Sequence, residues 1–499
     1  MMPAARSAHV VSDPGSPRPR AWLRLGLGAA LWLGLAAGAA AQAQAPAEAD
    51  ARLLERGRSL AIAADCLACH TQAGGGKPYA GGYPINSPLG VIYASNITPS
   101  RTAGIGDYSE ADFARALREG VRKDGARLYP AMPYTSYTLI TDEDMKALYA
   151  YFMKGVAPVD EPAPVTRLPF PFSVRASMLG WNLLFLDNRR YTPDPSKSEQ
   201  INRGAYLANA LAHCGSCHTP RNALMAEDAG RALGGGPVGP WYAPNISSDP
   251  VAGIGGWSED ELVQYLRTGR VAGKAQAGGM MAEAVENSFQ HMPETDLRAI
   301  AAYLKSTAPV GPESAADSKR PAGTAYGQGR AASDEARRRG LDSQTATASL
   351  KSGAALFSGY CASCHQSSGA GSANQAYPSL FHNTATGAGT AANLVATILY
   401  GIDRNVGDQH VLMPRFDQKS YVNPLTNQQV ADISNYVLAS YGNPDLRVTP
   451  ADVQQSRDGG PVPLLAKAQP YLVPGGVAVL VVLLLLLLAW RRACRRRSL

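Results

Sequence analysis

The chain of 499 residues carries a net charge of +7 and seven cysteines, a length that asks for about three domains plus connecting segments. The charge sits at the ends: residues 1–45 hold four Arg against one Asp and residues 491–499 hold five Arg, so removing +3 and +5 from +7 leaves the body near −1. Phosphate binding rests on basic side chains clustered over a folded surface, so nothing in this body recommends a nucleic-acid partner.

The first predicted element is a secretory leader over residues 1–45. Arg18, Arg20 and Arg24 precede the apolar run LGLGAALWLGLAAGAAA, and small residues around Ala41 to Ala45 suit cleavage. The body behind such a leader is exported.

DCLACHTQ, at 65–72, places two cysteines three apart with a histidine directly behind the second. The same Cys-x-x-Cys-His core returns in HCGSCHTP at 213–220 and YCASCHQS at 360–367, with first cysteines spaced by 148 and 147 residues. So long a period marks homologous domains rather than a solenoid, and the boundaries are drawn at 46–160, 199–306 and 349–442. The first two copies also share SNITPSRTAGIGDYSEADF (95–113) and PNISSDPVAGIGGWSEDEL (244–262), a segment the shorter third copy lacks.

Each copy opens on a short helix-compatible stretch bearing a glycine, Gly57, Gly204 or Gly353, and closes on a stronger helical pattern: TDEDMKALYAYF (141–152), PETDLRAIAAYL (293–304) or TNQQVADISNYV (426–437). These begin with Thr or Pro, suited to a cap or first turn, and then show apolar spacing near three to four. Tyr151, Tyr303 and Tyr436 stand at equivalent places in them. A glycine facing an aromatic lets two helices cross closely, though ordinary core tyrosines fit the same packing.

Residues 160–198 and the polar, Gly/Ala/Pro-rich 306–348 read as linkers, and 443–470 as a tether. The last predicted element is YLVPGGVAVLVVLLLLLLAW, 471–490, enough apolar residues to cross a hydrocarbon core about 30 Å thick. Its flank RRACRRRSL belongs in the cytoplasm by the positive-inside rule, which leaves the body on the periplasmic side of the inner membrane.

Four chemistries compete for the cysteine motif. A structural zinc site needs four ligands, and one motif offers at most three, with no second cysteine pair inside any repeat. A redox dithiol has no need of a histidine at the same place three times over. A disulfide across so small a loop stabilises little. Covalent heme uses every residue: the thiols of Cys66 and Cys69, Cys214 and Cys217, and Cys361 and Cys364 add to the porphyrin vinyl groups, and His70, His218 and His365 reach the irons as axial ligands. The expectation is three heme c groups.

Six-coordinate electron carriers commonly add a methionine, whose thioether favours ferrous iron. Met413, 48 residues beyond His365, is the sole methionine after residue 292; Met132 lies 62 beyond His70 and Met281 lies 63 beyond His218. Met280 is the rival of Met281, whereas Met292 aligns with the apolar Ile140 at a helix entrance. His213, His291, His382 and His410 are read as ordinary core or surface histidines, with His410 near enough to Met413 to watch.

The three motifs, with YPAMPYTSYTLITDEDMKALYAYF, AGGMMAEAVENSF, MPRF and the single C-terminal apolar helix, resemble the triheme cytochrome c subunits of membrane-bound bacterial dehydrogenases. The resemblance spans nearly the whole mature chain, and AGGMMAEAV departs from it by doubling the methionine. It implies a mainly α fold of three tandem class I cytochrome c-like domains plus one C-terminal transmembrane helix. It further implies that a dehydrogenase subunit holding FAD, PQQ or a molybdenum cofactor passes electrons through the hemes to membrane ubiquinone, with Met132, Met281 and Met413 at the family's methionine positions. No dinucleotide fingerprint, phosphate loop or catalytic triad rises above background. The alternative is a periplasmic heme peroxidase or reductase that keeps one iron open.

Overall fold

The computed structural model describes residues 48–311 and 350–497, save Pro88. The leader predicted at 1–45 and most of the linker predicted at 306–348 lie outside the described residues. The described residues from Arg56 onward form one compact unit, and residues 48–55, the described part of the unit before it, are helical.

Each repeat is built from an opening and a closing helix. The first uses α1 (residues 48–63) and α2 (Asp142–Ala150), which a π turn continues through Tyr151–Gly155. In the linker after it, α3 (Ser177–Phe185) forms. The second repeat uses α4 (Glu199–Tyr206), α5 (Met280–Asn287) and α6 (Glu294–Lys305), and the third α7 (Gly353–Tyr360) and α8 (Asn427–Tyr441). Side-chain caps set two of the closing helices: the Thr141 hydroxyl accepts from the Asp144 amide, and Thr426 forms a reciprocal box with Gln429. Pro293 precedes α6 without a side-chain cap bond.

The glycines and tyrosines meet as the sequence predicts. A Cβ added to Gly57 would lie 2.1 Å from the Ala147 carbonyl oxygen and 2.6 Å from the Tyr151 Cβ. At Gly204 the distances are 1.9 Å to the Ala299 oxygen and 2.7 Å to the Tyr303 Cβ; at Gly353 they are 2.2 Å to the Asp432 oxygen and 3.0 Å to the Tyr436 Cβ. Backbone touches backbone at all three crossings, and only a residue without Cβ permits that. Around the third crossing, Leu356, Phe357, Val430, Ile433, Val437 and Tyr441 form a continuous buried cluster.

Among the described residues the strands form four antiparallel hairpins, β1–β2 (Pro84–Ser87, Gly90–Tyr93), β3–β4 (Gly236–Val238, Trp241–Ala243), β5–β6 (Arg270–Val271, Ala275–Gln276) and β7–β8 (Ile402–Val406, Gln409–Met413). Met413 ends the last of these opposite Ile402. The third repeat reaches into the second through this hairpin. Arg404 on β7 is fully buried and donates from Nη1 to the Ala277 carbonyl at 2.7 Å.

The first two repeats are joined by a buried carboxylate. Asp144 on α2 accepts from Arg56 Nε at 2.7 Å and from the Tyr206 hydroxyl of α4 at 2.6 Å. Alanine at 144 strands a buried hydroxyl and one guanidinium, a loss of about 1–3 kcal/mol after allowing for the exposure of Arg56. Asp144→Ala is therefore expected to lower the thermal midpoint by several degrees, with Asp144→Asn, which keeps the tyrosine bond, falling in between; calorimetry of the heme-loaded chain checks the order.

The C-terminal stretch is not the single uninterrupted span predicted for 471–490. It is helical as α9 (Leu464–Arg497), with Pro470 and Pro474 inside, and it bends by 54° between Leu464–Leu472 and Pro474–Trp490. Pro474 has no amide hydrogen and its ring crowds the preceding turn, which places the bend inside 471–490. Among the described residues no single helix is long and apolar enough to cross a membrane; this bent pair meets the length and composition together.

Candidate functional site

Each Cys-x-x-Cys-His motif folds as a single helical turn, Cys66–His70, Gly215–His218 and Ala362–His365, so the cysteines and the histidine leave one short helix side by side. None of the six cysteines is in a disulfide. Burial pushes the thiols of Cys66, Cys69, Cys214 and Cys361 up to about 12. Thiols held protonated in apolar surroundings are poor redox nucleophiles, which weighs against the dithiol chemistry. Among the described residues no group of three or more His, Cys, Asp or Glu is arranged to hold a bare metal ion.

The histidines share one environment. Nδ1 of His70 lies 2.7 Å from the Ser95 carbonyl, Nδ1 of His218 lies 2.7 Å from the Pro244 carbonyl, and Nδ1 of His365 lies 2.9 Å from the Pro378 carbonyl. A carbonyl only accepts, so Nδ1 carries the proton and Nε2 is left with its lone pair. Burial lowers all three below the ordinary imidazole value, which keeps them neutral. A neutral imidazole with Nδ1 tied to the backbone is what an axial ligand requires.

The loop that supplies the carbonyl is itself pinned. Asn96 and Asn245, next to Ser95 and Pro244, each accept on Oδ1 from the amide two residues on and donate from Nδ2 to the chain beyond the closing helix. This assigns a task to the shared 95–113 and 244–262 segment: it orients the histidine. A further repeat escapes a reading of the sequence. The histidine's own carbonyl accepts from Gly81, Gly235 or Gly371, at φ 76°, 87° and 71°. These glycines lie at unequal distances along the chain from their histidines, so no fixed spacing betrays them.

One cavity of about 870 Å³ joins the second and third repeats. Cys214, Cys217 and His218 line it with Met280 and Met281, as do Cys361, Cys364 and His365 with Met413. The volume is in the range that encloses a cofactor, and the wall chemistry fits porphyrin: apolar side chains, protonated thiols, neutral imidazoles and thioethers. From the first repeat Cys69 reaches the same wall, whereas His70 and Met132 do not line it. Met132 sits in a turn between Tyr129 and Tyr134, its amide donating to the Tyr129 carbonyl at 3.2 Å.

The other candidates separate by position. Met292 is 3% exposed beneath α6 and Ile140 is fully buried, a pair of core residues at equivalent helix entrances. Met280 is 40% exposed and Met281 less so, both on the first turn of α5. His410 pairs with Asp403 at 2.8 Å across the exposed side of β7–β8. His213, pushed down to about 4 by burial, packs its ring on Tyr137 with centroids 5.7 Å apart.

The sequence profile of the cytochrome c family matches residues 54–155, 201–308 and 350–440. The fructose dehydrogenase cytochrome subunit of Gluconobacter japonicus is 47% identical over 450 residues, covering 89% of this chain and 92% of that protein. The quinone alcohol dehydrogenase cytochrome c subunit of Gluconacetobacter polyoxogenes is 41% identical over 420 residues, 82% of this chain and 85% of that one. The gluconate 2-dehydrogenase cytochrome c subunit of Pantoea cypripedii is 40% identical over 429 residues, 81% and 89% of the two chains.

Proposed function

The chain belongs to the cytochrome c family as a three-heme electron-transfer subunit of a dehydrogenase complex, and from that premise we propose that it delivers electrons to membrane ubiquinone from the periplasmic side. The partner is a dehydrogenase catalytic subunit; the names of the three relatives point to a sugar, a sugar acid or an alcohol as its substrate class, and the family resemblance implies FAD, PQQ or molybdenum as its cofactor.

In this reading Cys66 and Cys69, Cys214 and Cys217, and Cys361 and Cys364 hold the three heme c groups. His70 and Met132, His218 and Met281, and His365 and Met413 are their axial ligands. Heme supplies one-electron redox chemistry; the chain supplies the orientation of each imidazole, the exclusion of water and the distances between sites. The single observation that carries the reading is the shared cavity, because two motifs that line one space, with Cys69 of the first repeat at its wall, give electrons a short way through the body.

The acceptor side rests on the C-terminal stretch. With α9 bent at Pro474, the straight part from 474 to 490 is about 26 Å long at 1.5 Å per residue, slightly less than a hydrocarbon core of about 30 Å. It serves as a membrane anchor with the arginine flank inside, after cleavage of the leader at 1–45. Removing residues 471–499 is expected to release a red, heme-bearing protein that still accepts electrons from the dehydrogenase but reduces quinone in vesicles at least about tenfold more slowly. Undiminished quinone reduction by the shortened chain would overturn the acceptor assignment.

A further inference from the structure

The linker between the first two repeats contains a helix packed inside out. In α3 the one buried residue is Asn182, whose Oδ1 accepts from the Tyr134 hydroxyl at 2.8 Å and whose Nδ2 donates to the Glu119 carbonyl at 3.0 Å. Met178, Trp181 and Phe185 are half-buried, but the three leucines face outward: Leu183 is 86% exposed, Leu184 67% and Leu179 58%, and Phe170 just upstream is also 58% exposed. A surface helix of a water-soluble body normally shows the reverse, with leucines inside and amides outside. Leu179 and Leu183 are one helical turn apart and form one face.

Such a face needs a cover, and two features identify it. From Ser177 to Leu186 there is no charged residue, whereas a protein interface of the separable kind is about as polar as the rest of a surface and carries a polar rim. The foot of α9 is tied just upstream of α3: Gln469 Nε2 donates to the Phe170 carbonyl at 2.9 Å, and α9 carries exposed leucines of its own, Leu480 and Leu483 to Leu488 among them. An exposed, uncharged apolar helix face on a body that is hydrogen-bonded to the foot of an apolar anchor helix suits a seat at a lipid surface.

We propose that the outward face of α3, with Phe170, lies in the interfacial layer of the lipid bilayer beside the foot of α9 and holds the cytochrome body down on the membrane. This rests on the reading of α9 as the anchor. A tether alone would leave the body free to swing; a second contact some distance along the surface fixes which side of it meets the quinone layer.

Spin labels test the seat on the full heme-loaded chain in vesicles of phosphatidylethanolamine and phosphatidylglycerol. In a Cys494→Ser background, nitroxide is attached through Leu183→Cys or Leu179→Cys on α3, Leu485→Cys on α9, or Gln428→Cys at an exposed position of α8. Accessibility is then read to oxygen, which partitions into lipid, and to a nickel chelate, which stays in water. The expected result is a ratio of oxygen to nickel collisions severalfold higher at 179, 183 and 485 than at 428. Labels at 179 and 183 that favour nickel while 485 favours oxygen overturn the seat and leave the anchor standing. Nickel-favoured labels at all four positions overturn both. Labels at 179 and 183 that leave water only when the dehydrogenase subunit is added make this face a protein interface and overturn the proposal.

Discussion

Replacing Met413 with leucine is expected to lower the midpoint potential of one heme by on the order of 200 mV, part of the roughly 0.8 V that axial ligation spans, while the other two hemes keep theirs. The thioether stabilises ferrous iron, and leucine offers no donor in its place. Met413 lines the cavity that also holds Cys361, Cys364 and His365, and it ends β8 where its backbone is fixed by pairing with Ile402. The substitution nearly conserves volume, so packing changes little. The vacated iron position should also give a high-spin ferric band and bind carbon monoxide, neither of which the parent chain does if all its irons are six-coordinate. Met281→Leu should act in the same way on the second heme and Met280→Leu should not. A potentiometric titration followed at the heme bands separates the two, and equal losses from both would show that the doubled methionine shares the task.

Gly204→Val is expected to abolish heme retention in the second repeat while the first and third keep theirs. The Cβ would stand 1.9 Å from the Ala299 carbonyl oxygen, a backbone atom that cannot step aside without moving α6. Overpacking of this kind costs about 1–3 kcal/mol where side chains yield and more where backbone must, a large fraction of the stability of a domain of that size. The opening helix α4 leads directly through Leu207–Leu211 into the second motif, so an α4 pushed off α6 carries Cys214 and Cys217 away from His218's partner loop. Absorbance per polypeptide should fall by about one third, to two hemes rather than three. Full heme content in this variant would show that the helix crossing is not needed to build the site.

The heme motifs are legible in the sequence because thioether attachment demands fixed covalent spacing: two thiols, a short turn and an imidazole in direct succession. The crossing glycines Gly57, Gly204 and Gly353 are legible for a similar reason, since backbone contact between helices tolerates one residue type. The equivalence of Met292 and Ile140 is legible too, because a helix entrance into the core needs an apolar side chain at that turn. The carbonyls of Ser95, Pro244 and Pro378 are not. They act through the backbone, and any residue type carries one. Gly81, Gly235 and Gly371 escape because loops of different length bring each of them back to its histidine.

Sequence by itself determined the three heme attachment motifs, the helix pairs around them and the apolar C-terminal stretch, all of which depend on residue type at short range along the chain. The tertiary structure alone decided that the second and third motifs share one cavity, that Arg404 of one repeat is buried in the next, and that α3 turns its asparagine in and its leucines out. Those facts depend on which surfaces meet across long separations in the chain, and such meetings are set by the summed packing of the whole body rather than by any local pattern.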